Sequence, residues 1–219
     1  MAKILEMKHI SKSFGGSKAL SNVHFEMEEG EVHALLGENG AGKSTLMNIL
    51  TGVIPADSGK IIFMGKEYVT PTIKEMENAG IAFVHQELNV INDLSVADNI
   101  FLRKELKTKL GLIDEKEQIK KTKELFESLG VEMNPSEMVS NLKTSEKQLL
   151  EICKALYSDA KLLILDEPTT ALSNDEIDHL FGILNRLKKT GKSFVFISHK
   201  MPEIFAIADR YTVFRNGQF

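Results

Sequence analysis

The sequence predicts an α/β fold in which a parallel sheet is covered on both faces by helices. Its strand-like runs, such as EVHALL, KLLIL and SFVFI, are short and almost wholly apolar. Helical stretches separate them, and strand and helix alternate on both sides of one helical block. Buried parallel strands are continuously apolar because helices lie against both of their faces.

Residues 3–36 hold three strand-like runs, the last stopping abruptly at Gly37, where a glycine-rich turn begins. From Lys43, KSTLMNILTG reads as a helix closed by Gly52. GKIIFMGKEY returns to strand character about a turn at Gly65, and IAFV at 81–84 is a further strand that runs into His85 and Gln86. Between about residue 95 and residue 157 apolar residues such as Ile119, Leu125, Phe126 and Leu129 recur at helical spacing among charges, so this block is expected to be an all-helical insertion. Its lysine-rich stretch, 104–123, has glutamates interleaved and reads as a solvated helix face. Alternation then resumes: KLLIL at 161–165, a helix over 174–189, SFVFI at 193–197, a short helix after Pro202 and YTVF at 211–214. There is no internal repeat, low-complexity segment or long linker. The Asn216-Gly217 pair is a tight turn that should lead into a partner strand, so the domain is expected to continue past Phe219.

Bulk composition narrows the function. With 42% hydrophobic and 26% charged residues, the 219-residue chain is ordinary for a globular protein that can build a core. A net charge of -4, from 27 basic and 31 acidic residues, offers no broad attraction for nucleic acid or anionic lipid. Nucleic acid is therefore not an expected partner, and any membrane association is expected to run through a protein. The single cysteine, Cys153, excludes an internal disulfide, fits a reducing compartment and reads as a small buried helix residue. No stretch is apolar enough to span a bilayer and the start, MAKILEMKHI, lacks the apolar block of a secretory signal, so a cytoplasmic location is expected.

Two motifs carry chemistry. Gly37-Glu38-Asn39-Gly40-Ala41-Gly42-Lys43-Ser44 matches the GxxxxGK[ST] phosphate loop and lies between a buried strand and a helix, as the mechanism needs. The glycines let the backbone curl so that successive N–H groups face phosphates at a helix N-terminus; Lys43 adds positive charge and the Ser44 hydroxyl ligates Mg²⁺. Thr45 completes the binding stretch. A plain glycine turn has no need of a lysine followed by two hydroxyl residues. The second motif, LLILDEP at 162–168, ends four apolar residues in two adjacent carboxylates. Side chains alternate along a strand, so the two acids are expected to point apart and differ in task. Asp166 would hold Mg²⁺ through water and Glu167 would polarise the attacking water.

These motifs resemble those of the ABC ATPases: LDEPT, followed by TALS, is similar to their Walker B segment and D-loop. The resemblance implies that Gln86 is the Q-loop glutamine reaching toward Mg²⁺ and water, that His199 is the switch histidine contacting the γ-phosphate, and that Phe14 stacks on adenine. Taken singly, each of the three has a plainer explanation as a surface glutamine, a loop histidine and a core phenylalanine. Order and spacing around the two motifs favour the functional roles. The chain also resembles the first ATPase domain of tandem-domain importers for ribose, galactose, xylose and similar sugars, through GENGAGKSTLMNILTG at 37–52, HQELNVINDLSVADNIFL at 85–102 and QLLEICKAL at 148–156.

That family implies a P-loop NTPase of three parts spanning 1–219: a RecA-like parallel core, a small antiparallel β subdomain from the N-terminal strands, and an α-helical subdomain at about 87–158. It further implies ATP and Mg²⁺, a second ATPase domain in tandem or as a dimer, a transmembrane permease and a periplasmic or extracellular sugar-binding protein. The chain would work peripherally at the cytoplasmic face of the membrane and be soluble when isolated. One departure stands out: the ABC signature segment, typically LSGGQ or LSVGQ, reads Leu142, Lys143, Thr144, Ser145 and Glu146, with Lys143 and Ser145 in place of the expected serine and glycine. The alternative is a soluble ABC-type ATPase acting on ribosomes or nucleic acid, which would carry an intact signature and a coiled-coil insertion or charged linker. A P-loop kinase would lack LDEPT and His199.

Overall fold

A computed structural model describes residues 2–218. The order of elements is β1 (Lys3–Phe14), β2 (Ser17–Glu28), β3 (Val32–Gly37), α1 (Lys43–Leu50), β4 (Ser58–Phe63), β5 (Lys66–Tyr68), α2 (Ile73–Ala79), β6 (Ile81–Val84), α3 (Val96–Phe101), α4 (Glu115–Leu129), a 3₁₀ turn (Val139–Asn141), α5 (Thr144–Tyr157), β7 (Leu162–Asp166), α6 (Asn174–Lys188), β8 (Ser193–Ile197), α7 (Met201–Ile207) and β9 (Arg210–Phe214). The chain divides into two compact units, one of Met1–Phe83, Ala160–Pro168 and Asn185–Phe219, the other of Val84–Asp159 and Thr169–Leu184. Phe219 lies outside the described residues.

The first unit contains both sheets. One is four-stranded, ordered β2-β1-β4-β5, with antiparallel pairs β2/β1, β1/β4 and β4/β5. The other is five-stranded, ordered β6-β7-β8-β3-β9, and its β7/β8, β8/β3 and β3/β9 pairs are parallel. As expected from the apolar runs, β7 buries Leu162, Leu163, Ile164 and Leu165 completely, and β8 buries all five of its residues. Leu162, Ile164, Val195 and Ile197 join the main core with Leu46, Met47, Ile49 and Leu50 of α1 and the inner face of the antiparallel sheet. On the other face of β3, Ala34 and Leu36 meet Ile204 of α7. Each fully buried aliphatic side chain contributes about 1.5–3 kcal/mol, so these strand ends are held rigidly.

Three local features differ from the sequence expectations. A helix, α2, lies where none was foreseen; Thr72 caps it by accepting from the Glu75 N–H at 3.3 Å, while the Glu75 carboxylate accepts from the Thr72 N–H at 2.8 Å. The lysine-rich stretch 104–123 is helical only from Glu115; before it the chain forms a small hairpin. Glu167 does not continue β7, which ends at Asp166, but turns into the left-handed region at φ 49. Non-glycine residues avoid that region by about 1 kcal/mol or more. Glu167 therefore leaves the line of the strand by a turn, so strand alternation does not set the direction of its side chain.

The second unit carries α3, α4 and α5 and much of α6. Ser95, Asp114 and Gly130 mark its helix ends as their residue types dictate: the first two accept first-turn N–H groups, and Gly130 takes the left-handed conformation. Asn99, completely buried on α3, pins the loop behind Gln86 by accepting the Ile91 N–H at 2.8 Å and donating to the Ile91 and Ser95 carbonyls at 3.0 Å each. Cys153 is buried as expected, and burial pushes its thiol up to about 12.

Candidate nucleotide site

Strand register places the chemistry at one edge of the parallel sheet. Gly37 ends β3 opposite Phe214, Leu35 lies opposite Ile197, and Asp166 ends β7 opposite Ile197. The carboxyl ends of three adjacent strands therefore deliver Gly37, Asp166 and, just past β8, His199 to the same side. Open α/β sheets bind ligands at that edge.

The phosphate loop is shaped by its glycines. Gly37, Gly40 and Gly42 have φ of 147, 82 and 110. A Cβ on Gly37 would fall 2.5 Å from the Phe214 carbonyl oxygen, and one on Gly42 would fall 2.8 Å from both the Ala19 carbonyl and Leu20. Glycine is needed there for space as well as conformation. Gly40 faces open space and is exposed with Glu38 and Asn39. The loop rests on the Asn216-Gly217 turn: Gly217 N–H donates to the Ala41 carbonyl at 2.9 Å, and the Gly217 carbonyl accepts from Ser21 at 3.0 Å. That turn was legible in the sequence, but its role as a floor under the loop was not.

At α1 the N-cap is Gly42, which has no side chain to accept a first-turn N–H, and the first turn holds no acidic residue. The orphan donors of this helix start are left for an external anion, with the positive end of the helix dipole behind them. Lys43 bends back so that its Nζ donates to the Gly37 carbonyl at 2.5 Å and the Glu38 carbonyl at 3.1 Å, which sets the ammonium over the loop. Ser44 is exposed and Thr45 half-buried.

Glu167 and His199 are brought together. The carboxylate is 14% exposed, the imidazole 71%, and His199 Nδ1 lies 2.8 Å from Glu167 Oε1. The turn at Glu167 is tied down by its N–H, which donates to the Ile197 carbonyl at 2.9 Å. Phe14, at the end of β1, is 49% exposed with Lys12 Nζ 5.5 Å from its ring centre. Gln86 is exposed and belongs to the second unit, as do Leu142, Lys143, Thr144, Ser145 and Glu146.

The signature segment reveals a residue that sequence reasoning missed. Glu176, in the first turn of α6, accepts from the Ser173 N–H and hydroxyl at 2.8 Å each. Those bonds, and then a bond from the Ser145 hydroxyl, hold its carboxyl below the usual carboxylate range, with Lys143 adding a smaller electrostatic pull. The signal was present as Ser173-x-x-Glu176, a helix-capping pattern.

The donor set suits a nucleotide with Mg²⁺. A cradle closed to any Cβ, an uncapped helix start and a lysine over the loop fit a polyphosphate, while a serine hydroxyl and a carboxylate are the hard oxygen ligands Mg²⁺ prefers. Among the described residues no group of three His, Cys, Asp or Glu side chains forms a metal cage of its own. Mg²⁺ typically binds through one or two protein oxygens together with phosphates.

Such a sheet, loop and carboxylate pair define a fold of the P-loop NTPase type, and solved structures agree. An ATP-binding cassette of an ABC transporter in its ADP conformation superposes with a TM-score of 0.88 at 27% identity, covering 100% of this chain and 89% of that one. A nucleotide-free cassette gives 0.87 at 27% identity, covering 99% and 89%. The family model described as ABC transporter matches residues 20–170, and the chain belongs to that family. It is 50% identical over 213 residues to the ribose import ATP-binding protein RbsA of Lacticaseibacillus paracasei, covering 97% of this chain and 43% of that protein. It is also 50% identical over 217 residues to the L-arabinose transport ATP-binding protein AraG of Geobacillus stearothermophilus, covering 98% and 42%. The chain thus spans less than half the length of these relatives.

Proposed function

We propose that this chain is the ATP-binding and ATP-hydrolysing domain of an ABC importer for a monosaccharide. The observation that carries the nucleotide half is the uncapped start of α1 beneath a loop whose Gly37 and Gly42 admit no side chain. The sugar half is supported by the identity to proteins named for ribose import and L-arabinose transport. The reading requires a second ATPase domain, a permease and an external sugar-binding protein, and places the domain at the cytoplasmic face of the membrane. No helix of the described residues is long and apolar enough to cross a bilayer. No observation favours action on ribosomes or nucleic acid.

In this reading the loop amides and Lys43 neutralise the triphosphate, and Phe14 offers its exposed ring to adenine. Ser44, and Asp166 through water, would hold Mg²⁺, with Gln86 in the reaching role the resemblance implies, and the ion would supply charge neutralisation to the phosphates. Glu167 takes the proton of the attacking water. His199, whose Nδ1–H donates to that carboxylate, fixes its orientation and leaves Nε2 to face the γ-phosphate. Closure on a second domain then shifts the permease between states because ATP binds the closed pair better.

Calorimetric titration with Mg-ATP tests the assignment. Removing one hydrogen bond to a charged group costs roughly 1.5–3 kcal/mol, so Lys43→Ala should weaken binding about tenfold to a hundredfold. Unchanged binding would overturn the reading.

A further inference from the structure

The segment between α3 and α4 is a braced hairpin that holds apolar side chains in solvent. Lys107 and Ile113 pair across an antiparallel bridge, the Thr108 N–H donates to the Leu112 carbonyl at 2.8 Å, and the Gly111 N–H donates to the Thr108 carbonyl at 2.9 Å. Gly111 closes the turn at φ 81. At the base, the Asp114 N–H donates to the Leu106 carbonyl at 2.8 Å, and the Leu106 N–H donates to Oε1 of the buried Gln118 at 3.1 Å. The amide group of Gln118 in turn donates to Asp98 at 3.3 Å. On this frame Leu110 is 88% exposed, Leu112 68% and Ile113 54%. Single exposed apolar residues are common, but three beside one another on an ordered turn form a patch.

The patch has a collar of positive charge. Arg103, Lys104, Lys107 and Lys109 flank it, and among the described residues none of their side chains is in an ion pair. Within 103–113 the one carboxylate, Glu105, is held below the usual carboxylate range by bonds from its own N–H and from the Arg103 N–H, the latter at 3.0 Å, with Lys107 adding a smaller electrostatic pull; Asp114, Glu115 and Glu117 follow from the base of the hairpin. The net charge of -4 belongs to the chain as a whole, and the excess of positive charge is confined to 103–113, since three acids follow within the next four residues.

We propose that the hairpin 107–113 is a lipid-contacting tip, in which Leu110, Leu112 and Ile113 enter the headgroup layer of an anionic leaflet while the flanking cations stay at its phosphates. The composition selects the occupant. Cores of protein–protein interfaces are depleted in lysine, whereas a membrane surface accommodates an apolar tip beside lysines whose stems lie along the apolar region with their ammonium groups in the headgroups. Anionic lipid attracts such basic clusters over a Debye length. Such a contact would act beside the association through a protein partner that the sequence leads one to expect. The inference goes beyond the nucleotide reading and does not rest on it, since lipid contact needs no ATP.

Flotation of the chain with vesicles of phosphatidylcholine, with and without phosphatidylglycerol, tests it. The chain should float with the phosphatidylglycerol vesicles at low salt, lose that association in high salt, and stay behind with phosphatidylcholine alone. Leu110→Ser with Leu112→Ser should lower the floated fraction several-fold, as should Lys104→Glu with Lys109→Glu, while melting temperature and ATP affinity stay unchanged. Absence of flotation by the unaltered chain, flotation indifferent to phosphatidylglycerol, or a serine variant that floats equally well would overturn the proposal. Loss of self-association in the serine variant, without vesicle binding by the parent, would overturn it too and assign the hairpin to contacts between copies.

Discussion

The phosphate loop and the signature segment both stand at the first turn of a helix, but one start is open and the other is closed on side chains. At α1, glycine caps the helix and no acid follows in the first turn. At α5, Lys143 is the N-cap residue, its N–H donates to Glu146 at 2.7 Å, and the Ser145 hydroxyl is given to Glu176. A lysine ammonium has no acceptor, so only the return half of a capping pair forms there. Glu146 puts a carboxylate where the helix dipole would otherwise attract a phosphate. A helix N-terminus becomes an anion site only where the sequence withholds such carboxylates.

The strongest attempt to break this contrast removes the chemistry from the loop's side of the molecule. Glu167→Gln should slow ATP turnover by about 10²–10⁴-fold while leaving ATP affinity nearly intact, because a positioned base acts only in the transition state. Single-turnover kinetics beside calorimetry measures both. Normal turnover would show that Glu167 is not the base and that its bond to His199 is structural.

A second effect sharpens the contrast through backbone geometry. Gly37→Ala must carry a Cβ toward the Phe214 carbonyl at positive φ, a strain of roughly 1–3 kcal/mol at least. For a domain of this size that lowers the melting temperature by about 2–4 °C per kcal/mol. Gly40→Ala meets open space and bears only the left-handed penalty, so it should melt closer to the parent. In the signature segment the reverse exchange, Ser145→Gly, removes a hydrogen bond to the exposed Glu176 and some helix propensity, so its melting shift should be the smaller one. Equal melting shifts for the two loop variants would mean that the cradle is not packed against β9.

What could be read beforehand follows the range of each interaction. The phosphate loop, the apolar strands and the LDEPT carboxylates were legible because their signals are local: glycine conformation, unbroken apolar runs and adjacent acids. The turn at Glu167 was not, because its φ is imposed by a bond to Ile197 on another strand. The helix α2 escaped notice because Met76 is its only buried residue, which leaves no apolar stripe, although Thr72-x-x-Glu75 advertised its start. In 104–114, lysines followed by interleaved glutamates read as the start of a solvated helix face, and Gly111 was the overlooked breaker. Glu176 lies thirty-one residues from Ser145 in the sequence, so their pairing required the folded second unit.

The smallest expected effect bears directly on the signature segment. If its closed start is what sets it apart, the isolated chain should hydrolyse ATP slowly, because any pairing of two copies would have to present this segment to the γ-phosphate of the other. The Ser145 hydroxyl is already bonded to Glu176, Lys143 offers a long cation in place of a short hydroxyl, and Ser145 adds a side chain where a backbone must approach closely. Lys143→Ser with Ser145→Gly restores the hydroxyl and the close approach, and Glu146→Gln added to them removes the carboxylate from the first turn of α5. Steady-state hydrolysis against protein concentration should rise several-fold in the double variant and further in the triple one. A tandem protein tolerates the closed start better than a symmetric dimer, since only the site opposite this segment would be impaired. The competing view makes Lys143 a cationic finger that stabilises charge on the transferring phosphoryl group. Brisk, cooperative hydrolysis by the unaltered chain that falls when Lys143 is replaced would establish the finger and reject the contrast between the two helix starts.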